Sequence, residues 1–265
     1  LDDYTFELMA YRKKEKLGEN RQIEIESVIE LDQRFPASTF DNIDGRRILI
    51  SPTGPDPVLF GLRGDDPLKL VEAFKILKHE TIDFWCIFRS NQGTYANVIK
   101  MKDPSEARPY QTILIKGIVE KIKQIKDKLE LEMAANDWTI KARVYKIQGE
   151  LRRSVSNLKK GDIVMILGNV VERREKTLEI NLEEFIPIKL IPLTQERNPI
   201  CPNCGFRLKK KSRNTYKCPN CGYIVNYRNK LIELRRRTDL IERKRYQSPP
   251  RAHRHLTMPI KRMWY

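Results

Sequence analysis

Histidine is nearly absent from this chain, with three in 265 residues. Acid–base chemistry by imidazole therefore has few candidates. No apolar run approaches the roughly 18 residues that a membrane-crossing helix needs. No signal or lipidation pattern is present either, which argues against a membrane partner. No Gly-rich loop ending in Gly-Lys-Ser or Gly-Lys-Thr offers a phosphate cradle, and no GxGxxG turn follows a strand. HExxH, GxSxG and the zinc-deaminase motif pair are missing as well. Cysteine is sparse, five residues in all. One of them, Cys86, sits in the apolar run Phe84-Trp-Cys-Ile-Phe88. A lone thiol of that kind fits a reducing cytosol, so a cytoplasmic protein is expected. An initiator methionine is lacking too: the chain begins at Leu1 and is expected to be a piece of something longer.

The other four cysteines stand in two copies of one motif, Cys201-Pro-Asn-Cys204-Gly and Cys218-Pro-Asn-Cys221-Gly. A structural zinc ion takes four soft ligands at the corners of a tetrahedron, and each CxxC turn supplies two. The 13 residues between Cys204 and Cys218 suffice for a hairpin that brings the turns together. The glycine after each second cysteine permits the positive φ of a tight knuckle. Cys201, Cys204, Cys218 and Cys221 are thus read as the ligands of a zinc ribbon. A redox dithiol pair or two disulfides fit the duplicated pattern less well.

Charge is the second marker. Lys and Arg number 51 against 35 Asp and Glu, a formal net charge of +16. Residues 196–265 hold 19 basic and 4 acidic side chains, whereas residues 1–195 hold 32 and 31. The excess therefore lies on the ribbon and the tail behind it. A field concentrated at one end suits a polyanion, because each phosphate neutralised releases condensed counterions. A solvated basic surface that merely keeps the chain soluble is the plainer alternative.

Residues 1–103 read as an α+β unit, a sheet with a helix on one face. Residues 5–12 alternate as a strand, 22–31 are expected to form a second, and 47–51 and 57–62 are short apolar runs bounded as strands are. Pro67 opens a helix after Asp65 and Asp66. Leu68, Val71, Phe74 and Leu77 share one face of it, and His79 is expected as a solvated cap at its end. Residues 82–89 are a further strand, and 101–108 a linker. Residues 110–192 follow the layout of an OB-fold β-barrel. A strand at 112–125 and a hairpin of 129–135 and 138–146 precede a short helix at 151–158, and strands at 163–171 and 178–190 follow. The ribbon occupies 196–227. Residues 228–246 are expected to be a basic helix, with Leu231, Leu234 and Ile241 on one side. The last stretch, to residue 265, keeps Leu256, Met258, Ile260 and Trp264. That is too apolar for an idle tail, so it is expected to dock on a domain.

On the 138–146 strand, Trp138, Ile140, Ala142 and Val144 share one parity and Thr139, Lys141, Arg143 and Tyr145 the other. The second set is basic with one aromatic, as a nucleic-acid platform is. Glu130 and Glu132 on the paired strand are placed to consume its charge. The ribbon's Arg207, Lys209, Lys210, Lys211 and Arg213 have no such acidic neighbours in the sequence, and Tyr216 is available for stacking on a base. Arg251, His253, Arg254 and His255 in the tail are expected as further phosphate or base contacts, with plain surface residues the alternative for the two histidines. In the first unit, Asp41, Asn42 and Asp44 gather in the loop 36–44. Arg63 lies in Gly61-Leu-Arg-Gly64 and Asn91 in Ser90-Asn-Gln-Gly-Thr94. Polar groups at strand ends build sites, and each of these also has a reading as a turn former.

The segments FELMAYR, STFDNID, PDPVLFGLRG and SNQGT, then NPICPNCG, KCPNCG and PPRAHRHLTMPIKRM, occur in that order. In this combination the chain resembles the archaeal tRNA(Ile) 2-agmatinylcytidine synthetase family over almost its whole length. The resemblance implies a ferredoxin-like α+β domain, an OB-fold and a zinc ribbon. It implies a role in a ligase that uses ATP and magnesium to attach agmatine to the wobble cytidine of an isoleucine tRNA, which then decodes AUA. The family's N-terminal kinase-like catalytic domain has no counterpart in these residues. The chain is therefore expected to bind tRNA, to be inactive alone, and to work with that domain supplied in cis or in trans. By the same resemblance Asp41, Asn42, Asp44, Arg63 and Asn91 line the agmatine and anticodon side of the site. Asp41 and Asp44 come foremost because agmatine is cationic. A stand-alone RNA- or DNA-binding adaptor is the second hypothesis, and a protein-binding zinc-ribbon scaffold the third.

Overall fold

In a computed structural model the chain is described over residues 3–227, 231–235 and 237–264. The first unit runs β1 (Thr5–Arg12), α1 (Ile25–Arg34), β2 (Thr39–Phe40), a small ladder of β3 (Ile43–Asp44) and β4 (Arg47–Ile48), β5 (Val58–Gly64), α2 (Pro67–Phe74) and β6 (Ile82–Ser90). β1 lies between β5 and β6, β2 flanks β5, and all four are antiparallel. Leu8, Ala10, Phe60 and Leu62 of the sheet share one buried cluster with Val28 and Leu31 of α1 and Leu70 and Ala73 of α2.

Two expectations for this unit are corrected. The strand expected at 22–31 is the helix α1. Its buried positions are Ser27, Val28 and Leu31, a helical spacing hidden by a polar residue on the inner face. Ser27 is there because its hydroxyl donates to the Glu24 carbonyl at 2.7 Å and accepts from the Lys78 N–H at 3.0 Å. Asp66 caps α2, accepting from the Leu68 and Lys69 amides at 2.8 and 3.4 Å, with Pro67 in the first turn where its missing N–H costs nothing. The buried face of α2 is Leu70 and Ala73, while Leu68 is 73% exposed. The helix ends at Phe74, so His79 does not cap it. The imidazole packs against Phe60 and Phe74, with centroids 5.2 and 5.5 Å away.

The second unit contains β7 (Val98–Met101), β8 (Thr112–Ile125), β9 (Lys128–Ala135), β10 (Trp138–Val144), α3 (Gly149–Ser156), β11 (Ile163–Arg174) and β12 (Thr177–Lys189). Its strands follow the order β10-β9-β8-β11-β12, and β10 pairs a second time, in parallel with β12 from Thr139↔Thr177 to Arg143↔Asn181. The sheet therefore closes on itself, which leaves no long edge within the ring to pair with another chain. Ile113, Ile115, Leu131, Met133, Ile140, Val164, Ile166, Ile180 and Phe185 fill the interior, with Leu151 and Val155 of α3 beside them. The expected linker at 101–108 is corrected as well. β7 pairs with β8, and Met101 and Ala107 are buried in the closed sheet's core. The prolines that suggested a linker shape a single helical turn, Pro104–Glu106, capped by Asp103.

β13 (Leu193–Arg197) leads to the ribbon strands β14 (Lys209–Lys210), β15 (Thr215–Lys217) and β16 (Ile224–Asn226), and β17 (Leu231–Arg235) returns to pair antiparallel with β13. The helix expected at 228–246 is thus corrected to a strand followed by irregular chain. Leu234 is 73% and Ile241 59% exposed, so these two apolar side chains do not form a packed helical face. Residues 228–230 and 236, and the side chain of Leu231, lie outside the described residues. Arg237 fixes the irregular stretch. Its guanidinium is buried, donates to Asp162 at 2.7 Å and to Asp239 at 2.8 Å, and also reaches the Asn157 carbonyl.

β18 (Tyr246–Gln247) adds to β12, with the Tyr246 ring stacked on Phe185 at 4.9 Å. The tail beyond lies across both units. The Ser248 amide donates to the Glu183 carbonyl, and the Gly93 and Tyr95 amides donate to the carbonyls of His255 and Leu256. Leu256, Met258 and Ile260 are half-buried; the side chain of Trp264, and Tyr265, lie outside the described residues.

Gly168 marks the tightest approach within the closed sheet: a Cβ there would sit 2.3 Å from the Asn181 carbonyl oxygen. Gly168→Ala is expected to lower the unfolding free energy by about 1–3 kcal/mol, read from the denaturant midpoint. An unchanged midpoint would show that β11 and β12 do not meet this closely.

Candidate functional site

The two knuckles repeat one geometry. The Cys201 amide donates to the Phe206 carbonyl and the Gly205 amide returns to the Cys201 carbonyl; Cys218, Tyr223 and Gly222 do the same. Gly205 and Gly222 hold φ of 73° and 75°, the left-handed conformation that glycine adopts without strain. The four sulfurs lie within 4.8 Å of one another. A tetrahedral zinc–thiolate site places its sulfurs about 3.8 Å apart, so the cluster can hold such an ion. The Cys204 thiol is pushed down to about 6, first by the Phe206 backbone N–H and then by the neighbouring cysteines. Metal ligation by cysteine requires that thiolate form.

Around this cluster the cations are disposed unevenly. Lys209, Lys210, Lys211, Arg213 and Lys217 are exposed, and among the described residues none makes an ion pair. Arg207 differs from expectation, because its guanidinium meets Glu233 at 2.8 Å, and Arg197 shares that carboxylate at 3.0 Å. The acid lies on β17, far from Arg207 in sequence, which is why no local signal showed it. Tyr216 is also corrected. It is 2% exposed, packed with Cys201, Leu208 and Cys218 in the ribbon core, and cannot stack on a base. The exposed ribbon aromatics are Phe206 and Tyr223, at 56% and 42%. Each directly follows a knuckle glycine, a repeat visible in the sequence.

On the β10 face, Arg143 is spent on Glu179 at 2.5 Å, with Glu130 at 3.9 Å. Tyr145 donates its hydroxyl to Asn181 at 3.0 Å. Lys141 alone of the three keeps its charge without an ion pair among the described residues, since Glu132 is taken by Lys123 at 2.5 Å.

Of the five first-unit residues, three come together. Asp41 adopts φ 53°, and its carboxylate lies 3.0 Å from Nδ1 of His253. Asp44 receives Arg251 at 3.0 Å. Asn42 is fully buried and donates to Asp32 at 2.9 Å and Thr39 at 2.8 Å. Lys261 also reaches Asp32, at 3.1 Å. Asp32, Asp41, Asp44 and Glu150 line one cavity of about 430 Å³ beneath the tail, with His253 and Lys261. Glu150 is the carboxylate there without a cation among the described residues. Arg63 belongs to a different network, donating to Glu7 at 3.0 Å, and Gln92 holds the other oxygen of Glu7. Asn91 sits in an exposed turn, where its carbonyl accepts from Thr94. Asp32 and Glu150 were missed because helix residues in charged sequence carry no local mark of a site.

His253 and the tail arginines are likewise occupied. Nε2 of His253 meets the Ser248 carbonyl at 2.8 Å. Both ring nitrogens thus face oxygen atoms of the protein. Arg254 reaches Glu183 at 3.4 Å, with its side chain half exposed; His255 is exposed.

Sequence reading also passed over the adjacent pair Glu183 and Glu184, of which Glu184 joins the two units and Glu183 holds the tail. Tyr95 donates to Glu184 at 2.7 Å, Arg245 pairs with the same carboxylate, and Gln247 donates to the Tyr95 hydroxyl at 2.8 Å. Burial pushes the Glu184 carboxyl above the usual carboxylate range, against the opposing pull of Tyr95 and Arg245. Burial raises Glu183 in the same way, against Arg254 and Thr257.

The family model for the TiaS FLD domain matches residues 1–97. The tRNA(Ile) 2-agmatinylcytidine synthetase TiaS of Pyrococcus horikoshii is 36% identical over 264 residues, which is 98% of this chain. Its counterpart in Staphylothermus marinus is 36% identical over 267 residues, again 98% of this chain. The chain belongs to the TiaS family. It spans 61% and 58% of the length of those two TiaS relatives. The crystal structure of apo TiaS superposes with a TM-score of 0.84 at 30% identity, over 99% of this chain and 62% of that one. A TiaS complex with an isoleucine tRNA and ATP gives 0.79 at 29%, over 99% and 61% of the two chains. A complex with tRNA, AMPCPP and agmatine gives 0.79 at 28%, with the same coverage. The β-rich multidomain TiaS fold is therefore present here. No helix among the described residues is long and apolar enough to cross a membrane.

The buried glutamates of this TiaS homologue give a pH signature. A carboxyl whose folded pKa lies above its unfolded value of 4.5 contributes stability that is fully present below 4.5 and lost as pH rises through the folded value. Lowering the pH from about 7 to about 5 is expected to raise the melting temperature through Glu183 and Glu184. The Glu183→Gln, Glu184→Gln double variant flattens that slope. A parental slope in the double variant would assign it to other groups.

Proposed function

We propose that the chain is the tRNA-handling part of a ligase that attaches agmatine to the wobble cytidine of an isoleucine tRNA, so that the tRNA decodes AUA. The observation that carries this reading is the identity to TiaS along 98% of the chain, with TiaS itself solved in complexes holding tRNA, ATP and agmatine. ATP and magnesium act in the part of the relatives that this chain does not span. The setting is cytoplasmic.

In this reading residues 1–103 form a ferredoxin-like domain, supported by the β-α-β-β-α-β succession of the four-stranded sheet. Residues 110–192 form an OB-fold barrel, supported by five strands closing with a helix between the third and fourth. Residues 196–227 form a ribbon, and 228–265 tie it back. Zinc held by Cys201, Cys204, Cys218 and Cys221 supplies four bonds that replace the hydrophobic core so small a unit lacks.

Lys209, Lys210, Lys211 and Arg213 contact tRNA phosphates, because these cations project into solvent without acids to neutralise them. Phe206 and Tyr223 offer ring faces beside them. Agmatine, a cation at both ends, enters the acidic cavity at Asp41, Asp44 and Glu150. Among the described residues Glu150 has no cation to be displaced, so it is the first contact. A second reading, an RNA-binding adaptor without chemistry, is favoured by one observation: Asp41 and Asp44 are already satisfied by His253 and Arg251.

Reversing Lys209, Lys210 and Lys211 to Glu is expected to weaken tRNA binding at least tenfold at low salt and to flatten the dependence of log Kd on log salt. Unchanged affinity would move the RNA contact elsewhere. Chelation of the metal is expected to abolish the folded ribbon while leaving the melting of the closed sheet in place. A melting profile indifferent to chelator would refute the metal-clip assignment.

A further inference from the structure

The chain Arg108-Pro109-Tyr110-Gln111 is a tight turn, closed by the Gln111 amide donating to the Arg108 carbonyl at 3.3 Å. Proline stands at its second position. Tyr110 stands at the third with φ 70°, a type II geometry that favours Gly or Asn there. A tyrosine is strained in that conformation and gains nothing local from it, whereas an Asn tolerates it. The backbone is held in place from both sides. The Tyr110 N–H donates to the Val170 carbonyl at 2.8 Å, and Nδ2 of Asn169 donates to the Tyr110 carbonyl at 3.0 Å. The side chain is 88% exposed, the most exposed large hydrophobic residue among those described. Neither backbone preference nor core packing accounts for an aromatic at this position.

The surroundings are those of a nucleic-acid contact. Arg108 on the same turn is exposed, as are Lys100 and Lys102 just before it, and none of the three makes an ion pair among the described residues. Arg173 lies against the same segment, donating to the carbonyls of Ser105 at 2.7 Å and Ala107 at 3.3 Å. Asp103 is spent on capping the Ser105 amide at 2.9 Å. Glu172 is taken by Arg174 at 2.6 Å. Glu106 is the one acid of the segment left over. Val171, beside the turn, is 40% exposed and extends the apolar surface.

We propose that Tyr110 is a stacking platform for an unpaired nucleotide of the bound RNA, with Arg108 and Lys102 on the adjoining phosphates. Every base has a π-face, so a rigidly mounted ring binds it without reading its edge. Mounting the ring on a strained, hydrogen-bonded turn keeps it from folding back onto the protein. This inference rests on the RNA-binding reading above, but places a second contact on the closed sheet, separate from the ribbon.

The test compares Tyr110→Asn with Tyr110→Trp in the full chain, measuring tRNA affinity at low salt and thermal melting. The Asn variant is expected to melt at or above the parental temperature, because Asn relaxes the turn. It is also expected to lose about tenfold or more in affinity. The Trp variant restores binding. Parental affinity in the Asn variant overturns this inference alone, as does failure of Trp to rescue. A parental chain that ignores tRNA overturns both this inference and the reading it rests on.

Discussion

Four basic side chains near the C-terminus each meet a carboxylate of the first unit and help to hold the two larger units together. Arg251 holds Asp44, His253 holds Asp41, Lys261 holds Asp32, and Arg262 bridges Asp3 and Asp65 at 2.6 and 2.7 Å. Hydrogen bonds to Asp3 and Asp65 hold the Arg262 guanidinium above its already high range, in spite of burial. A charge-assisted, two-pronged contact of this kind is stronger and more directional than an exposed ion pair. The same tail adds β18 to the closed sheet through Tyr246 and Gln247. One stretch of chain is thus anchored by strand pairing on one unit and by charge on the other.

The division between what could be read and what could not follows the range of the interactions. The knuckles were legible because their ligands, turn glycines and spacing are all local. The strands of the closed sheet were legible because alternation reports burial on one face. The helix α1 was not, since Ser27 fills an inner position through a bond to Lys78 that only the folded unit supplies. The stretch after the ribbon was misread for a similar reason. Leu231–Arg235 has helix-forming residues, but a partner strand lies ready at Leu193–Arg197. In the candidate site, Asp41, Asn42 and Asp44 announced themselves as a loop motif. The partners of Asp44 and Asp41, Arg251 and His253, lie at the opposite end of the sequence, and Asp32 and Glu150 sit on helices with no distinguishing pattern.

Charge is likewise distributed by tertiary structure rather than by composition. The basic excess belongs to residues 196–265, yet a large share of it is spent internally. Arg207, Arg237, Arg245, Arg251, Arg254, Lys261 and Arg262 all meet acids. Among the described residues, the unpaired cations of this stretch are Lys209, Lys210, Lys211, Arg213 and Lys217 on the ribbon hairpin, with Arg235, Arg243 and Lys244 behind it. Net charge therefore overstates the field that a phosphate backbone would meet, and the unpaired subset defines it better.

The long span of the tail contacts has a consequence for biosynthesis. A ribosome delivers the chain at roughly 5–20 residues per second, so Asp32 of α1 and the loop of Asp41 and Asp44 emerge many seconds before the basic side chains that meet them. During that interval the nascent first unit carries a cluster of like charges without its counterweight. Its cavity is completed only when Gln247 to Lys261 have left the exit tunnel. A product truncated just short of Arg251 would retain both large units, yet would never acquire the roof over its acidic pocket.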